Sequence, residues 1–497
     1  MKQARLILLI SLLAGLGHVP CAAADTPAPA AVPAHGLHGP EAIRADLKAL
    51  YEGLRRAHFN LYENVSRDEY DRLFDQMTAE IDAPESTAAA VRRFQRFTAF
   101  GRIAHARVDA LHDEYRSYRD SGGRLFPLRL RFRGRRAFVL ENRSGSPAPE
   151  EGAEILTLDG EAIGAWYDRA ARYVSADTDY MTGSLLEFYF SRLLWLEVGS
   201  RPAFAVRYRQ GGAVRDSVVP ARTAPEMEAA RPAGLLRLDS ETREARMLPG
   251  GIAYLRPGPF YNNVPGAADM YDNRAYRRFV DEAMTGFVRA GARALIIDLR
   301  ENSGGDNSFS DPLIAWFATR PFRFASDFRI RVSPETVASN AARLKTSVDP
   351  ADSVSARMAA LYARSASGSV VPFPVDEGRP RPAPRFRGAV YLLVDRHSYS
   401  NAATTAALVQ DYRFGTILGE ETSDLATTLG AMETFELPNT GIAVGYPKAL
   451  IVRPSGSRIR RGVVPDIPIE TPPVQDPSDP VLRRAAEIAA QGTRARR

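Results

Sequence analysis

Apolar positions recur every three or four residues in the first hundred residues of the chain and every second residue after about Leu125, and this change of period divides it. Ile43, Leu47, Leu50 and Leu54 share one helical face. Ser66 and Glu69 stand at capping-box spacing ahead of a second face made by Tyr70, Leu73, Phe74, Met77 and Ile81. A third helix is predicted to begin near Ser86 and to carry Val91, Phe94 and Phe97. These three predict a small helical domain that ends at Phe100–Val108, FGRIAHARV. Beyond it, Leu128, Leu130 and Phe132 alternate with arginines, Arg133-Gly134 turns, and Phe138 and Leu140 return, which predicts antiparallel strands. Gly152–Ile163, GAEILTLDGEAI, predicts strand, turn and strand. An aromatic-rich helix over Ser184–Val198 and strands within Ala203–Val219 complete this region.

The pattern then becomes one of short continuous apolar runs between helical stretches. Ile252–Leu255 and Ala294–Leu299 read as strands, and Phe309–Phe317 as a helix after a double glycine. Ser365–Phe386 is rich in Ser and Pro and predicts a surface excursion. Ala389–Val394, AVYLLV, is apolar throughout and of strand length, so it predicts a buried strand. From Asn401 an Ala/Thr-rich stretch carries Ala403, Ala406, Ala407 and Val409 at helical spacing. Thr416–Glu420, Thr434–Leu437, Ile442–Tyr446 and Ala449–Val452 follow as strands. Strands alternating with helices predict an α/β domain. Asp479–Arg497 reads as a solvated helix with a basic end, and no internal repeat is present.

A length of 497 residues allows two to four domains, and 45% hydrophobic with 25% charged residues is an ordinary globular balance. The formal charge of +6 comes from scattered arginines, so no nucleic-acid partner is implied. Met1–Ala24 has the form of a secretory signal peptide: Lys2 and Arg5, then apolar Leu6–Leu16, then Ala22-Ala23-Ala24. Its apolar core is too short for a membrane span, so no transmembrane segment is expected in the mature chain. Its loss would remove two positive charges, leaving +4, and the one cysteine, Cys21. A lipoprotein at Cys21 is the lesser reading, because His18-Val19-Pro20 makes a poor lipobox. A mature chain without cysteine has neither disulfide nor thiol nucleophile, and a periplasmic or secreted location is expected. Thr26–His35 reads as a Pro/Ala linker, in and beside which His35 and His38 are incidental. With no HExxH, paired CxxC, Walker loop or GxGxxG, neither a metal nor a cofactor is expected.

The chemistry centres on Ser400, placed where the predicted strand turns into the predicted helix. Unpaired N–H groups at a helix start favour negative charge, and the Asn401 N–H can face a charge developing on a bound carbonyl. The plain alternative is that Ser398 or Ser400 caps the helix.

Three ordered motifs change this balance: Ala294–Asp311, ALIIDLRENSGGDNSFSD; Ala389–Tyr412, AVYLLVDRHSYSNAATTAALVQDY; and Gly462–Ile467, GVVPDI. Together they resemble the C-terminal-processing (tail-specific) and tricorn-core-like serine peptidases, well over the last half of the chain and loosely over the first. The resemblance implies a multi-domain α/β protein: a crotonase/Clp-like spiral ββα catalytic domain, an N-terminal helical domain and a PDZ-like β domain. The corresponding division is signal peptide 1–24, linker 25–38, helical domain 39–115, PDZ-like domain with a helical insert 116–240, catalytic domain 241–480 and tail 481–497.

The resemblance also implies roles. The family's SxSxSE pattern puts the nucleophile on Ser400, with Ser398 second, and its glutamate on Ala403, a departure. The oxyanion hole would be the N–H groups of Gly304 or Gly305 and of Asn401. Asp298, Arg300, Asp311 and Asp411 read as structural. Tail-specific members use a lysine 25 residues after the serine, which here is Leu425 within GEETSDLATT. The four lysines, Lys2, Lys48, Lys345 and Lys448, all lie elsewhere, which argues against a Ser–Lys dyad. Tricorn-like members use a histidine of the helical domain, and His105 stands at that place, matched to proton transfer near neutral pH. His397 competes with it. Their orienting acid precedes GVxPD, but Ser457–Gly462, SRIRRG, has no carboxylate, which leaves Glu420, Glu421 or Asp109. The expectation is a secreted serine-type endopeptidase that cleaves peptide or protein substrates through an acyl-enzyme. The rivals are a catalytically weak or inactive binder of peptides or hydrophobic ligands on the same scaffold, and a small-ester hydrolase without a GxSxG elbow.

Overall fold

The structure is a computed structural model and describes residues 36–108, 111–231, 236, 238–267, 269–347, 353–472 and 476–495. The expected signal peptide, Cys21, the linker 26–35 and Asp109 lie outside the described residues.

The site is positioned by a six-stranded sheet whose order is Ile467–Pro468, Thr416–Gly419, Ala389–Val394, Ala294–Asp298, Ile252–Arg256, Glu244–Leu248. Neighbours are parallel except Glu244–Leu248, which runs antiparallel to Ile252–Arg256. Both faces are covered, which is why the strand sequences are continuously apolar. On one face Val390, Leu392 and Val394 join Leu295 and Ile297 beneath the helices Arg274–Arg289, Asn307–Ala315 and Asn401–Tyr412. On the other, Ala389, Tyr391 and Leu393 join Ala294 and Ile296 against Val481, Leu482, Ala485 and Ala489 of the helix Pro480–Ala495. The expected solvated tail is therefore corrected: its helix closes the back of the six-stranded sheet.

An ion cluster fixes that closure. Arg300 gives two hydrogen bonds to Asp298 (2.9 and 2.7 Å) and two to Asp479 (2.9 and 2.7 Å), and Asp479 accepts the Leu482 N–H at the start of the last helix. The Tyr254 hydroxyl donates to Asp298 at 2.9 Å. Asp298 and Arg300 are thus strand-end anchors, as expected.

A second, four-stranded antiparallel sheet has the order Val370–Pro372, Asp327–Arg331, Ala443–Val452, Thr428–Glu436. The two strands expected around Pro447 are one: Ala443–Val452 keeps a single register against Thr428–Glu436 on both sides of Pro447, which stands opposite Met432. Most of 365–386 is irregular, apart from the short strand Val370–Pro372. The helices Pro40–Ala57, Arg67–Ala79 and Thr87–Ala99 bury Ile43, Leu47, Leu50, Leu54, Tyr70, Phe94 and Phe97 together with Val444 and Tyr446 of this sheet and Leu437 just beyond it. Ser66 and Glu69 form the expected capping box. His38 is not in a linker: Leu37–His38 pairs with Glu85–Ser86.

A third, antiparallel sheet contains Leu128–Arg133, Arg136–Asn142, Glu154–Leu158, Ala203–Gln210 and Ala213–Pro220, with Glu161–Ala162 turned back on Glu154–Leu158. Asp159 and Gly160 make that turn at φ 50° and 81°. The helix Asp179–Val198, capped by Thr178, packs on this sheet and starts five residues before the expected Ser184. The same core takes in Ala104 and Tyr399, so it reaches the neighbours of both His105 and Ser400.

Replacing Arg300 with Ala leaves Asp298 and Asp479 sharing one buried pocket, with only the longer 3.6 Å contact from Arg256 to Asp298 to offset them. The expected loss of stability is about 3–5 kcal/mol, read as a lower urea midpoint.

Candidate active site

The adjacent parallel strands Ala294–Asp298 and Ala389–Val394 end side by side, and each loop leads into a helix start. Carboxyl ends of parallel strands are where α/β sheets place ligand crevices. The two loops are sewn together: the Tyr399 N–H donates to the Asn302 carbonyl (2.9 Å), and the Asn302 side chain bonds the Gly258 carbonyl (2.7 Å) and the Gly304 N–H (2.8 Å).

Gly304 touches the nucleophile candidate directly. A Cβ on Gly304 would lie 2.7 Å from Ser400 Cβ, 2.6 Å from the Asn401 nitrogen and 2.5 Å from the Tyr399 carbonyl oxygen, and its φ is +86°. Gly305, at φ +137°, is clasped by Phe260. Both glycines are therefore obligatory. Because the Gly304 N–H is already given to Asn302, its expected role as an oxyanion donor is corrected. The N–H groups of Gly305 and Asn401 make no hydrogen bond among the described residues.

Ser400 has φ 51° and ψ −121°, a conformation costly for a residue with a side chain, and its side chain makes no cap bond to the helix it precedes. The plain reading of Ser400 as an N-cap is thus set aside. Its N–H donates to Asp424 Oδ2 at 2.6 Å. Ser398 is fully buried, donating to the Leu299 carbonyl (2.7 Å) and accepting the Asp395 N–H, so the second nucleophile candidate is a loop staple.

His105 is buried, its ring 5.5 Å from that of Tyr399, the residue before Ser400. One ring N–H donates to the Leu429 carbonyl. Nδ1 is buried with no hydrogen-bond partner. Desolvation lowers its pKa to about 4, against the opposing pull of Asp177. Neutral imidazole with a free lone pair is the form a general base needs.

His397 is different in kind. Its Nδ1 is 2.8 Å from Glu301 and its Nε2 3.1 Å from Glu187. Burial opposes the charge, but the two carboxylates outweigh it and raise its pKa to about 10. An imidazolium locked between two acids cannot accept a proton, so His397 is removed as a base candidate. Glu301, Asp395 and His397 also offer ligand atoms within 4.8 Å of one another, and are the cluster with metal-binding spacing among the described residues. That donor set suits a divalent cation, but His397 as a cation already fills the role.

The guessed orienting acids are corrected too. Glu420 bonds Arg396 (3.2 Å), and Glu421 pairs with Arg461 (2.6 Å) on the surface. Two acids escaped the sequence reading. Asp424, one residue before Leu425, is buried under Ser400, and desolvation raises its pKa to about 7. Asp177 lies within electrostatic reach of His105 and Asp424. The only signal for Asp177 was its place before the helix cap Thr178, and for Asp424 its place in the loop searched for a lysine. Asp411 binds Arg453 at 2.7 Å and is structural. Lys448 is buried against Glu433 on the four-stranded sheet.

A serine at a strained strand-to-helix turn, against a double glycine at the next strand end, defines a hydrolase scaffold of the serine-peptidase kind. Residues 252–469 match the model of peptidase family S41. The fold is similar to that of mature CPAF complexed with lactacystin (15% identity, 91% of this chain and 98% of that one, TM-score 0.61) and to mature CPAF (16%, 91% and 96%, 0.59). A photosystem II D1 C-terminal processing protease aligns at 15% identity over 86% of this chain and 93% of that one, with a TM-score of 0.44. No curated protein matches the chain. No helix among the described residues is long and apolar enough to cross a membrane.

Since the folded pKa of His397 is raised above 6.5, its ion pairs contribute fully below that pH and are lost as pH rises through about 10. His397→Gln should cost about 3–5 kcal/mol near neutrality. The gap to wild type in urea unfolding should narrow steadily toward alkaline pH.

Proposed function

We propose that this chain is a secreted serine endopeptidase acting on peptide or protein substrates, with Ser400 as nucleophile and His105, in place of a lysine, as base. The observation that carries the reading is the strained Ser400, pressed on Gly304 beside the unpaired N–H groups of Asn401 and Gly305. Strain of this kind persists where the surroundings enforce it for a purpose.

In this reading Ser400 Oγ attacks the scissile carbonyl carbon while its proton passes to His105 Nδ1. The carbonyl oxygen becomes an oxyanion held by the Asn401 and Gly305 N–H groups, a donor pair of the kind worth about 3–4 kcal/mol per bond in transition-state stabilisation. Collapse breaks the C–N bond, the proton moves from His105 to the leaving amine, and an ester to Ser400 remains. Water, deprotonated by His105, attacks that ester and frees the serine. The leader Met1–Ala24 would direct export, and the antiparallel sheet of residues 128–220 is read as a PDZ-like region beside the site.

A fluorophosphonate probe followed by intact mass and peptide mapping tests this. One adduct on Ser400, lost in His105→Ala, is expected. Ser400→Ala should lower peptide turnover by at least about 10⁴-fold with an unchanged melting temperature. Turnover retained in that variant would falsify the nucleophile. An adduct that survives His105→Ala removes the base, and folded protein without adduct favours the peptide or apolar-ligand binder.

A further inference from the structure

We infer that Asp177 is the acid that serves His105, replacing the carboxylate missing from Ser457–Gly462, while the Leu429 carbonyl sets the orientation of the ring. This rests on the reading of His105 as the base for Ser400.

The geometry is specific. Asp177 sits in the loop just before the helix Asp179–Val198, and its side chain is 2% exposed. Its Oδ2 accepts the N–H of Ala104, the residue before His105, at 3.2 Å. Its Oδ1 faces Arg460 at 3.1 Å. Arg460 belongs to the very stretch that lacks the expected acid, so the carboxylate comes from the β region and its counter-cation from the catalytic domain. The His105 ring already has the Leu429 backbone as a partner, so the imidazole does not rely on a carboxylate to fix its tautomer. What it does need, when Ser400 gives up its proton, is a negative charge beside the imidazolium in a dry site, and Asp177 is that charge. Asp177 acts through His105 and touches no reacting atom; it is a positioning residue.

The charged neighbours on every side are known. Asp177 faces Arg460, His105 and Asp424; His105 also feels Arg107 on its own segment; the Tyr399 hydroxyl feels Asp424, Arg107 and Asp177; and Arg460 is held from outside by Glu63 at 2.6 Å. Burial, with Asp424 second, raises the pKa of Asp177 to about 6, while Arg460 lowers it. Asp177 therefore gains its proton as pH falls through that value, and support for the imidazolium goes with it.

The test is the rate of Ser400 labelling by a fluorophosphonate probe in the full chain, followed from about pH 5 to pH 9. In wild type the rate should fall on the acid side near the Asp177 pKa. Asp177→Asn should label at least about tenfold more slowly near pH 8 and show no acid limb there, and Asp177→Glu should restore both rate and limb. Arg460→Gln, a half-exposed change outside the proposed proton path, should move the limb to higher pH, because a cation that favoured the carboxylate is gone. Wild-type rates and an unmoved limb in Asp177→Asn overturn the inference and assign the limb to Asp424. If Asp177→Asn does not fold, an unmoved limb in Arg460→Gln overturns it as well. Failure of the underlying reading looks different: no adduct on Ser400 in wild type, or wild-type labelling in His105→Ala.

Discussion

Between Gly304 and Ser400 there is no room for a methyl group, and the architecture around the site follows from that contact. Two parallel strands of one sheet lie about 4.8 Å apart, and the loops leaving them must cross without colliding. Here they cross with one backbone against the other's Cβ. Asn302 holds the crossing by bonding three backbone groups, Gly258, Gly304 and Tyr399. Ser400 is left in a conformation that it would not adopt alone, with its N–H turned to Asp424 and the next N–H free. A continuous apolar sheet buried on both faces is what makes such a crossing stiff enough to hold strain.

Buried charge is handled in two ways. Asp298 and Asp479 are matched by Arg300 and Arg256, and the arginines hold the Asp298 carboxyl below its ordinary range against the cost of burial. Glu187, His397 and Glu301 balance likewise, with Arg396 joining from one side. Around Ser400 the balance is short of cations. Desolvation pushes Asp177 and Asp424 up and His105 down, toward the neutral form in all three. Networks that neutralise themselves serve the fold; one kept near its titration range is where proton chemistry is found.

The fold was legible where apolar periodicity decides structure. AVYLLV could only be an interior strand, and Ser66 and Glu69 announced a helix start. The tail helix was misjudged because Arg483, Arg484 and Arg494 mask a narrow stripe of Val481, Leu482, Ala485 and Ala489, and nothing local tells a stripe facing a sheet from one facing water. Ser400 and the double glycine were legible because their geometry is local, a strand end and a tight turn. The acid was not: what places Asp177 next to His105 is packing between segments more than seventy residues apart. His397, three residues from Ser400, shows the converse, since sequence nearness put it on the other side of its loop, facing Glu301 and Glu187.

Ser400, His105 and Asp177 come from three regions with separate sheets or helices, and each region contributes one member. The arrangement behaves as a logical conjunction: any one seam that opens by an ångström removes a member without altering a single reacting atom. A cut in a distant loop, or a partner that pries two regions apart, would silence such a site, and reclosure would restore it. On the reading proposed for Ser400, His105 and Asp177, the seams between regions, rather than the residues at the centre, decide whether the site is whole.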